Sequence, residues 1–180
     1  RMSFYLSTLL LIYVYVMRFY WQNRKDRIRK NRLLIGAPAF FCILAVACQI
    51  FYIPTDARWQ KINSVLSGRL ELGCFGWRDY GFSLLGTKIE WIGFSHNATA
   101  GAYNYVDCSY MQILLENGLI PLVIIIAVYT YIMYMAVKEK DFYLQTAVLL
   151  ITAFSITEPR LLNLAYNPLP FFGITYISLR

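Results

Sequence analysis

The chain has 180 residues, of which 58% are hydrophobic and 15% are charged, and its formal net charge is +7. Soluble domains carry about a quarter charged residues, and the uncharged stretches here approach the ~20 residues that a helix needs to cross a bilayer. These properties exclude an ordinary soluble globular domain and predict an all-α, polytopic transmembrane helical bundle. The abrupt entry from Arg1 and Met2 into an apolar run predicts a fragment of a larger protein or a late start codon.

About five apolar segments are the predicted spans of a single membrane domain covering residues 1–180. In chain order they are residues 2–17, 33–53, 110–137, 142–157 and 161–179. Asn163 and Pro168 are among the residues that interrupt the last segment. A proline in a spanning helix frees backbone groups that then need another partner. We therefore expect a bent or half-inserted element there.

The connection between the first two spans, residues 18–32, contains seven Lys and Arg residues, and Asp26 is its only acid. Lys and Arg in short loops are enriched on the cytoplasmic side of a membrane. We therefore predict a multi-pass protein of the cell membrane in which this loop is cytoplasmic and residues 54–107 form an extracytoplasmic loop. Binding of nucleic acid is not expected, because topology and contact with anionic lipid account for the basic run.

The predicted outer loop, residues 54–107, is too long for a plain connection. Residues 57–72 predict an amphipathic helix, because Ile62, Val65 and Leu66 follow i, i+3, i+4 spacing and Arg69 borders the same stripe. The loop has five basic and five acidic residues. Its Arg residues suit phosphate, and its aromatic rings suit sugar faces. These side chains together predict binding of a lipid headgroup that carries both phosphate and sugar.

Three stretches in this region carry a resemblance to a known family. Ser67-Gly68-Arg69, followed by Trp77 and Gly86, resembles the signature in the large outer loop of O-antigen polymerase and ligase-type proteins. Residues 103–120 resemble the passage from that loop into the next span, and residues 155–168 resemble the final outer turn. In this order, over residues 66–168, the chain resembles Wzy-type polymerases of O-antigen and capsular polysaccharide.

The resemblance implies an enzyme that polymerises lipid-linked oligosaccharide repeat units into surface polysaccharide. The donor would be linked to undecaprenyl diphosphate, and a second lipid-linked repeat unit would supply the accepting hydroxyl. No metal and no cofactor are implied. Membrane lipids and the export and chain-length proteins of the same system are the implied partners.

Arg69 and Asp107 are the catalytic candidates. A guanidinium near the leaving diphosphate stabilises its developing charge, although Arg69 could instead reach out to lipid headgroups. Asp107 is a candidate general base, and where ligase-type relatives have His this sequence has Asp. The other interpretation makes Asp107, or Ser109, the N-cap of the third span.

Other polar residues are secondary candidates. The residues predicted to contact the substrate are Arg78, Lys88, His96, Arg160, Tyr103 and Tyr110. His96 is the only histidine and the rival base. Glu116 would lie inside the third span, where an unpaired charge is expensive, so we expect an Arg partner such as Arg160. Whether Cys74 and Cys108 form a disulfide stays open.

A component of a transporter or flippase for lipid-linked glycans is the alternative function. Such a protein is expected to place charged residues along several spans. The predicted spans here are almost free of charge apart from Glu116, which favours chemistry at the membrane surface. A third alternative is a non-catalytic membrane scaffold, which would not need an arginine and an aspartate framing one loop.

Overall fold

The computed structural model describes residues 32–92 and 104–163, with Asn167 and, near the start of the chain, Thr8, Ile12 and Tyr15. All regular structure in these ranges is helical, which confirms the all-α class. A 3-10 turn, Leu34–Gly36, is followed by six α-helices: α1 (Ala37–Ile50), α2 (Ala57–Val65), α3 (Arg69–Tyr80), α4 (Ser109–Glu116), α5 (Leu119–Lys138) and α6 (Phe142–Phe154).

Helix α1 lies at the centre of the described helices, where it contacts α3, α4, α5 and α6. Cys42, Ala45 and Gln49 lie on its buried side. Phe40 and Ile43, by contrast, leave 60% and 69% of their surfaces exposed. An exposed apolar face of this kind marks a surface that contacts a membrane or another protein.

Helix α5 is the one helix in the described ranges that is long and apolar enough to cross a membrane. Two shorter apolar helices accompany it, Leu34–Ile50 and Phe142–Phe154. At about 1.5 Å per residue, α6 extends roughly 20 Å, which is less than the ~30 Å hydrocarbon core. The described residues therefore do not confirm five full-length spans. Most of the predicted spans 2–17 and 161–179, and of the basic loop 18–32, lies outside the described residues.

The predicted third span, residues 110–137, is not one continuous helix but is divided between α4 and α5. The helix is interrupted between Glu116 and Leu119, where Gly118 has a φ of +95°. This conformation is accessible to glycine and strained for other residues. The carbonyls of Ser83 and Leu84 accept hydrogen bonds from the first N–H groups of α5, at 3.0 and 3.1 Å. The preceding loop therefore caps α5 and stabilises the break.

The predicted amphipathic helix over residues 57–72 is also wrong, because the chain forms α2 and α3 with a turn between them. Ser67 and Gly68 both have positive φ angles, +58° and +82°, which end the first helix. Ile62 and Val65 are exposed instead of buried, at 48% and 61%. Ile62 and Val65 therefore face away from the helical core, whereas Leu66 packs against the buried cluster of Tyr52, Leu70 and Cys74.

A buried asparagine explains why α3 begins where it does. The first N–H groups of a helix need acceptors from outside the helix. Asn63 Oδ1 accepts hydrogen bonds from the backbone N–H groups of Leu70 and Glu71, at 3.1 and 3.2 Å. The Asn63 carbonyl also accepts from the N–H of Gly68, at 2.8 Å. Asn63 thus performs the capping role and fixes the position of the first residue of α3, Arg69.

Candidate functional site

Arg69 is the point at which three distant segments of the chain meet. Its Nε donates to Oδ2 of Asp107 at 3.2 Å, and its Nη2 donates to Oε1 of Glu158 at 3.4 Å. The two carboxylates lie 38 and 89 positions further along the chain. A third pair joins Nε of Arg160 to Oε2 of Glu158 at 3.8 Å. We call Arg69, Asp107, Glu158 and Arg160 the ionic cluster.

The ionic cluster is balanced in formal charge and partly open to solvent. The side chains of Arg69, Asp107 and Glu158 are 20–25% exposed, and that of Arg160 is 46% exposed. Each charged group of the cluster therefore presents part of its surface to solvent, where a ligand can reach it.

The guanidinium of Arg69 retains capacity to bind an anion. A guanidinium has five N–H donors, and Arg69 uses two of them in its bonds to the carboxylates. The other three have no protein acceptor among the described residues. Arg69 can therefore bind a phosphate oxygen while its carboxylate partners hold it in place.

The structure assigns other roles to the two residues predicted to cap the third span. The N-cap of α4 is Cys108, which makes no side-chain capping bond, so the capping prediction is wrong for both Asp107 and Ser109. The hydroxyl of Ser109 donates to the carbonyl of Glu158 and accepts from the N–H of Leu161, the latter at 3.1 Å. Ser109 thereby fastens the turn after α6 to the start of α4.

Arg160 and Glu116 do not form the predicted pair. Arg160 pairs with Glu158, whereas Glu116 is exposed and accepts a hydrogen bond from Nε1 of Trp91 at 3.2 Å. The reason is the break after α4, which turns Glu116 out of the interior. The sequence did not single out Glu158 as a partner of Arg69, although its place beside Arg160 in an outer turn was a usable signal.

Three of the remaining predicted substrate contacts are described by the structure, Arg78, Lys88 and Tyr110, and none of them takes part in the ion pairs of the cluster. Arg78 and Lys88 are exposed and make no ion pair with any described residue. Arg78 follows Arg69 by nine residues, roughly 13 Å along α3. Tyr110 is 0% exposed and donates its hydroxyl to a carbonyl of α6 at 2.6 Å, so we assign it to packing. His96 and Tyr103, the other two, lie outside the described residues.

The two loop cysteines are free thiols in this structure. Cys74 and Cys108 are each 1% exposed, and neither forms a disulfide. The thiol of Cys74 contacts the carbonyl of Tyr52 at 3.7 Å. Burial raises the pKa of the Cys108 thiol, because a charged thiolate is poorly solvated in an apolar environment. Both side chains therefore act as small packing groups.

A cleft of about 280 Å³ opens beside the ionic cluster. Its lining consists of Ser109, Gln112, Ile113, Glu116, Asn117, Pro159, Leu161 and Leu162. Ser109 and Pro159 connect it to the cluster, since Ser109 bonds to Glu158 and Pro159 follows it. Sequence reasoning missed Gln112 and Asn117, although their amides within an otherwise apolar stretch were a usable signal.

The described residues contain no group of three or more His, Cys, Asp and Glu side chains arranged to hold a metal ion. No protein-family model, curated protein or solved structure matches the chain. The candidate site is therefore defined by the ionic cluster and the adjoining cleft.

Proposed function

We propose that the chain is a Wzy-type polysaccharide polymerase, which joins lipid-linked repeat units by glycosyl transfer from an undecaprenyl-diphosphate donor. The observation that carries this proposal is the composition of the ionic cluster. Arg69, Asp107 and Glu158 come from the three separate stretches in which the sequence resembles this family. Their convergence within hydrogen-bonding distance is what a shared active site requires.

In this proposal the helices form a multi-pass bundle of about five spans in the cell membrane. The length of α5 and the exposed apolar side chains of α1 support membrane insertion. The basic loop 18–32 lies in the cytoplasm, and the ionic cluster faces the opposite side. This location places the cluster at the surface where a lipid diphosphate and its sugars leave the hydrocarbon core.

The proposed chemistry is a direct displacement. The acceptor hydroxyl oxygen attacks the anomeric carbon of the donor sugar, and the bond from that carbon to the diphosphate oxygen breaks. The lipid diphosphate leaves with the electron pair, so the configuration at the anomeric carbon inverts. Asp107 takes the hydroxyl proton as general base. Arg69 stabilises the negative charge that develops on the diphosphate.

The 3.2 Å pair between Arg69 and Asp107 couples these two roles. When Asp107 accepts a proton it loses its charge, and its attraction for Arg69 weakens. At that moment the diphosphate gains negative charge, and the guanidinium is released to bind it. Glu158 keeps its own bond to the guanidinium and holds it in position. The interaction with the leaving group is therefore strongest in the transition state, as catalysis requires.

Glu158 contacts the same guanidinium at 3.4 Å and is the rival for the role of base. The two assignments predict different phenotypes. If Asp107 is the base, Asp107→Asn lowers polymerisation much more than Glu158→Gln, which loses only the positioning of Arg69. The reverse order of severity assigns the base to Glu158.

The proposal is tested by expressing the full-length protein in a host that lacks its polymerase and examining glycan chain length. Arg69→Ala and Asp107→Asn are each expected to lower polymerisation about 10²–10³-fold and to leave single repeat units, with the protein still in the membrane. The matched control is Arg58→Ala, which removes an exposed arginine of α2 outside the ionic cluster and keeps long polymer.

Long polymer from both Arg69→Ala and Asp107→Asn overturns the proposed site. Accumulation of repeat units on the cytoplasmic side of the membrane in these variants points instead to the flippase alternative.

A further inference from the structure

The cleft beside the ionic cluster has a lining that differs in chemistry from the cluster. Gln112, Glu116 and Asn117 supply its amide and carboxylate groups, and Ile113 and Leu161 supply apolar surface. Its lining contains no Lys or Arg residue. One carboxylate without a cation repels a phosphate at short range, so the cleft suits a diphosphate less well than the ionic cluster does.

The geometry points to a subsite for a neutral, hydroxyl-rich sugar ring, which under the proposed function is the acceptor sugar of the polymerase. Amide groups both donate and accept hydrogen bonds, and a carboxylate accepts them. Sugar hydroxyls both donate and accept hydrogen bonds, so they can pair with each of these groups. Ile113 and Leu161 provide surface for the apolar C–H face of a ring. The volume of about 280 Å³ lies just below the roughly 300–1,000 Å³ of small-ligand pockets and suits one sugar unit better than a long glycan.

Contacts outside the cleft hold the Glu116 carboxylate and the backbone at Asn117 in place. Glu116 accepts from Trp91 Nε1, and the Trp91 ring packs edge-on against Tyr80 and Tyr105 with centroids 6.1 and 6.0 Å away. A Cβ on Gly86 would lie 2.5 Å from the carbonyl carbon of Asn117, so the backbones touch there. A preformed cleft avoids the entropic cost of ordering these side chains on binding.

The position of the cleft relative to Asp107 fits a role in presenting the acceptor. Ser109 lines the cleft two residues after Asp107 and bonds to the carbonyl of Glu158. Pro159 lines the cleft between the two cluster residues Glu158 and Arg160. The cleft is therefore lined by chain neighbours of both carboxylates, Asp107 and Glu158, as an acceptor subsite next to the ionic cluster requires.

The test is a binding experiment with the intact protein in lipid nanodiscs and no turnover. The probes are the neutral methyl glycosides of glucose, galactose and N-acetylglucosamine, with methyl phosphate as the anionic comparison, followed by saturation-transfer NMR. At least one glycoside is expected to bind. Because Glu116 is exposed, Glu116→Gln keeps the fold and weakens glycoside binding about tenfold, as does Gln112→Ala. Methyl phosphate binding is unchanged in both.

The matched control is Glu90→Gln, which makes the same substitution at an exposed carboxylate next to Trp91, the residue that bonds to Glu116. This variant is expected to bind the glycosides as the parent protein does. Arg69→Ala is expected to lose methyl phosphate binding and keep glycoside binding. If no neutral glycoside binds, or if Glu116→Gln and Gln112→Ala bind as well as Glu90→Gln, the subsite is overturned. The binding assay involves no glycosyl transfer, so a negative result there overturns the sugar subsite alone. The proposed function is overturned by a different result, the retention of long polymer by Arg69→Ala.

Discussion

Replacing Gly86 by alanine is expected to displace the contact between the loop before α4 and the break after it. Gly86 has a φ of +84°, and a Cβ built on it would lie 2.1 Å from the carbonyl oxygen of Glu116. The opposing Gly118 is equally crowded, since its own Cβ would lie 2.4 Å from the backbone nitrogen of Gly86. Both obstacles are backbone atoms, so no side chain can rotate away to make room.

Gly68 provides the matched control for the size of this effect. Its φ is +82°, and a Cβ there meets nothing within 4 Å. Gly68→Ala therefore carries only the left-handed backbone penalty of about 1–2 kcal/mol. Gly86→Ala carries that penalty and an overpacking penalty of about 1–3 kcal/mol. The difference between the two variants isolates the steric contribution.

The assay is thermal unfolding of the purified protein in detergent, followed by the loss of the monodisperse folded species. At about 2–4 °C per kcal/mol for a chain of this size, Gly86→Ala is expected to melt about 2–12 °C below Gly68→Ala. Equal melting temperatures for the two variants would refute the close backbone contact between Gly86 and Glu116. The capping of α5 by Ser83 and Leu84 would then lose its structural basis.

One further substitution and one labelling reagent test other contacts. Asn63→Ala removes the acceptor of two N–H groups at the start of α3 and is expected to lower the free energy of unfolding by about 1–3 kcal/mol. Chemical denaturation in detergent measures this loss, with Ser64→Ala on the exposed face as the control. A loss of stability no larger than that of the control contradicts the capping role of Asn63. Cys74 and Cys108 are expected to resist a maleimide in the native protein and to react after denaturation, because both are buried. The raised pKa of Cys108 also keeps its thiol protonated at neutral pH. Rapid labelling of the native protein at either position contradicts this burial.

The helical class could be predicted from the sequence because it follows from local properties. Long apolar runs and their flanking charges predict helices without knowledge of what they contact. Arg69 and Asp107 were also selected from the sequence, and the structure places their side chains 3.2 Å apart. Their proposed catalytic roles remain predictions.

The features that sequence patterns missed depend on contacts between distant segments. The break before Leu119 is stabilised by the carbonyls of Ser83 and Leu84, which no local pattern near residue 118 encodes. The start of α3 depends on a side chain from the preceding helix, Asn63. Glu158 reaches Arg69 across 89 positions. In the first two cases a tertiary contact overrides the apolar periodicity that predicts one uninterrupted helix.

The separation of Arg69, Asp107 and Glu158 along the chain also sets the order in which the site is assembled during synthesis. The ribosome produces Arg69 first and Asp107 later, and the second carboxylate follows only when α6 is complete. Since chains fold progressively from the N-terminus, a nascent chain that ends before residue 158 has an arginine with only one of its two carboxylates. The turn after α6 therefore completes the site, and α6 must form before the residues of the outer loop can act in catalysis.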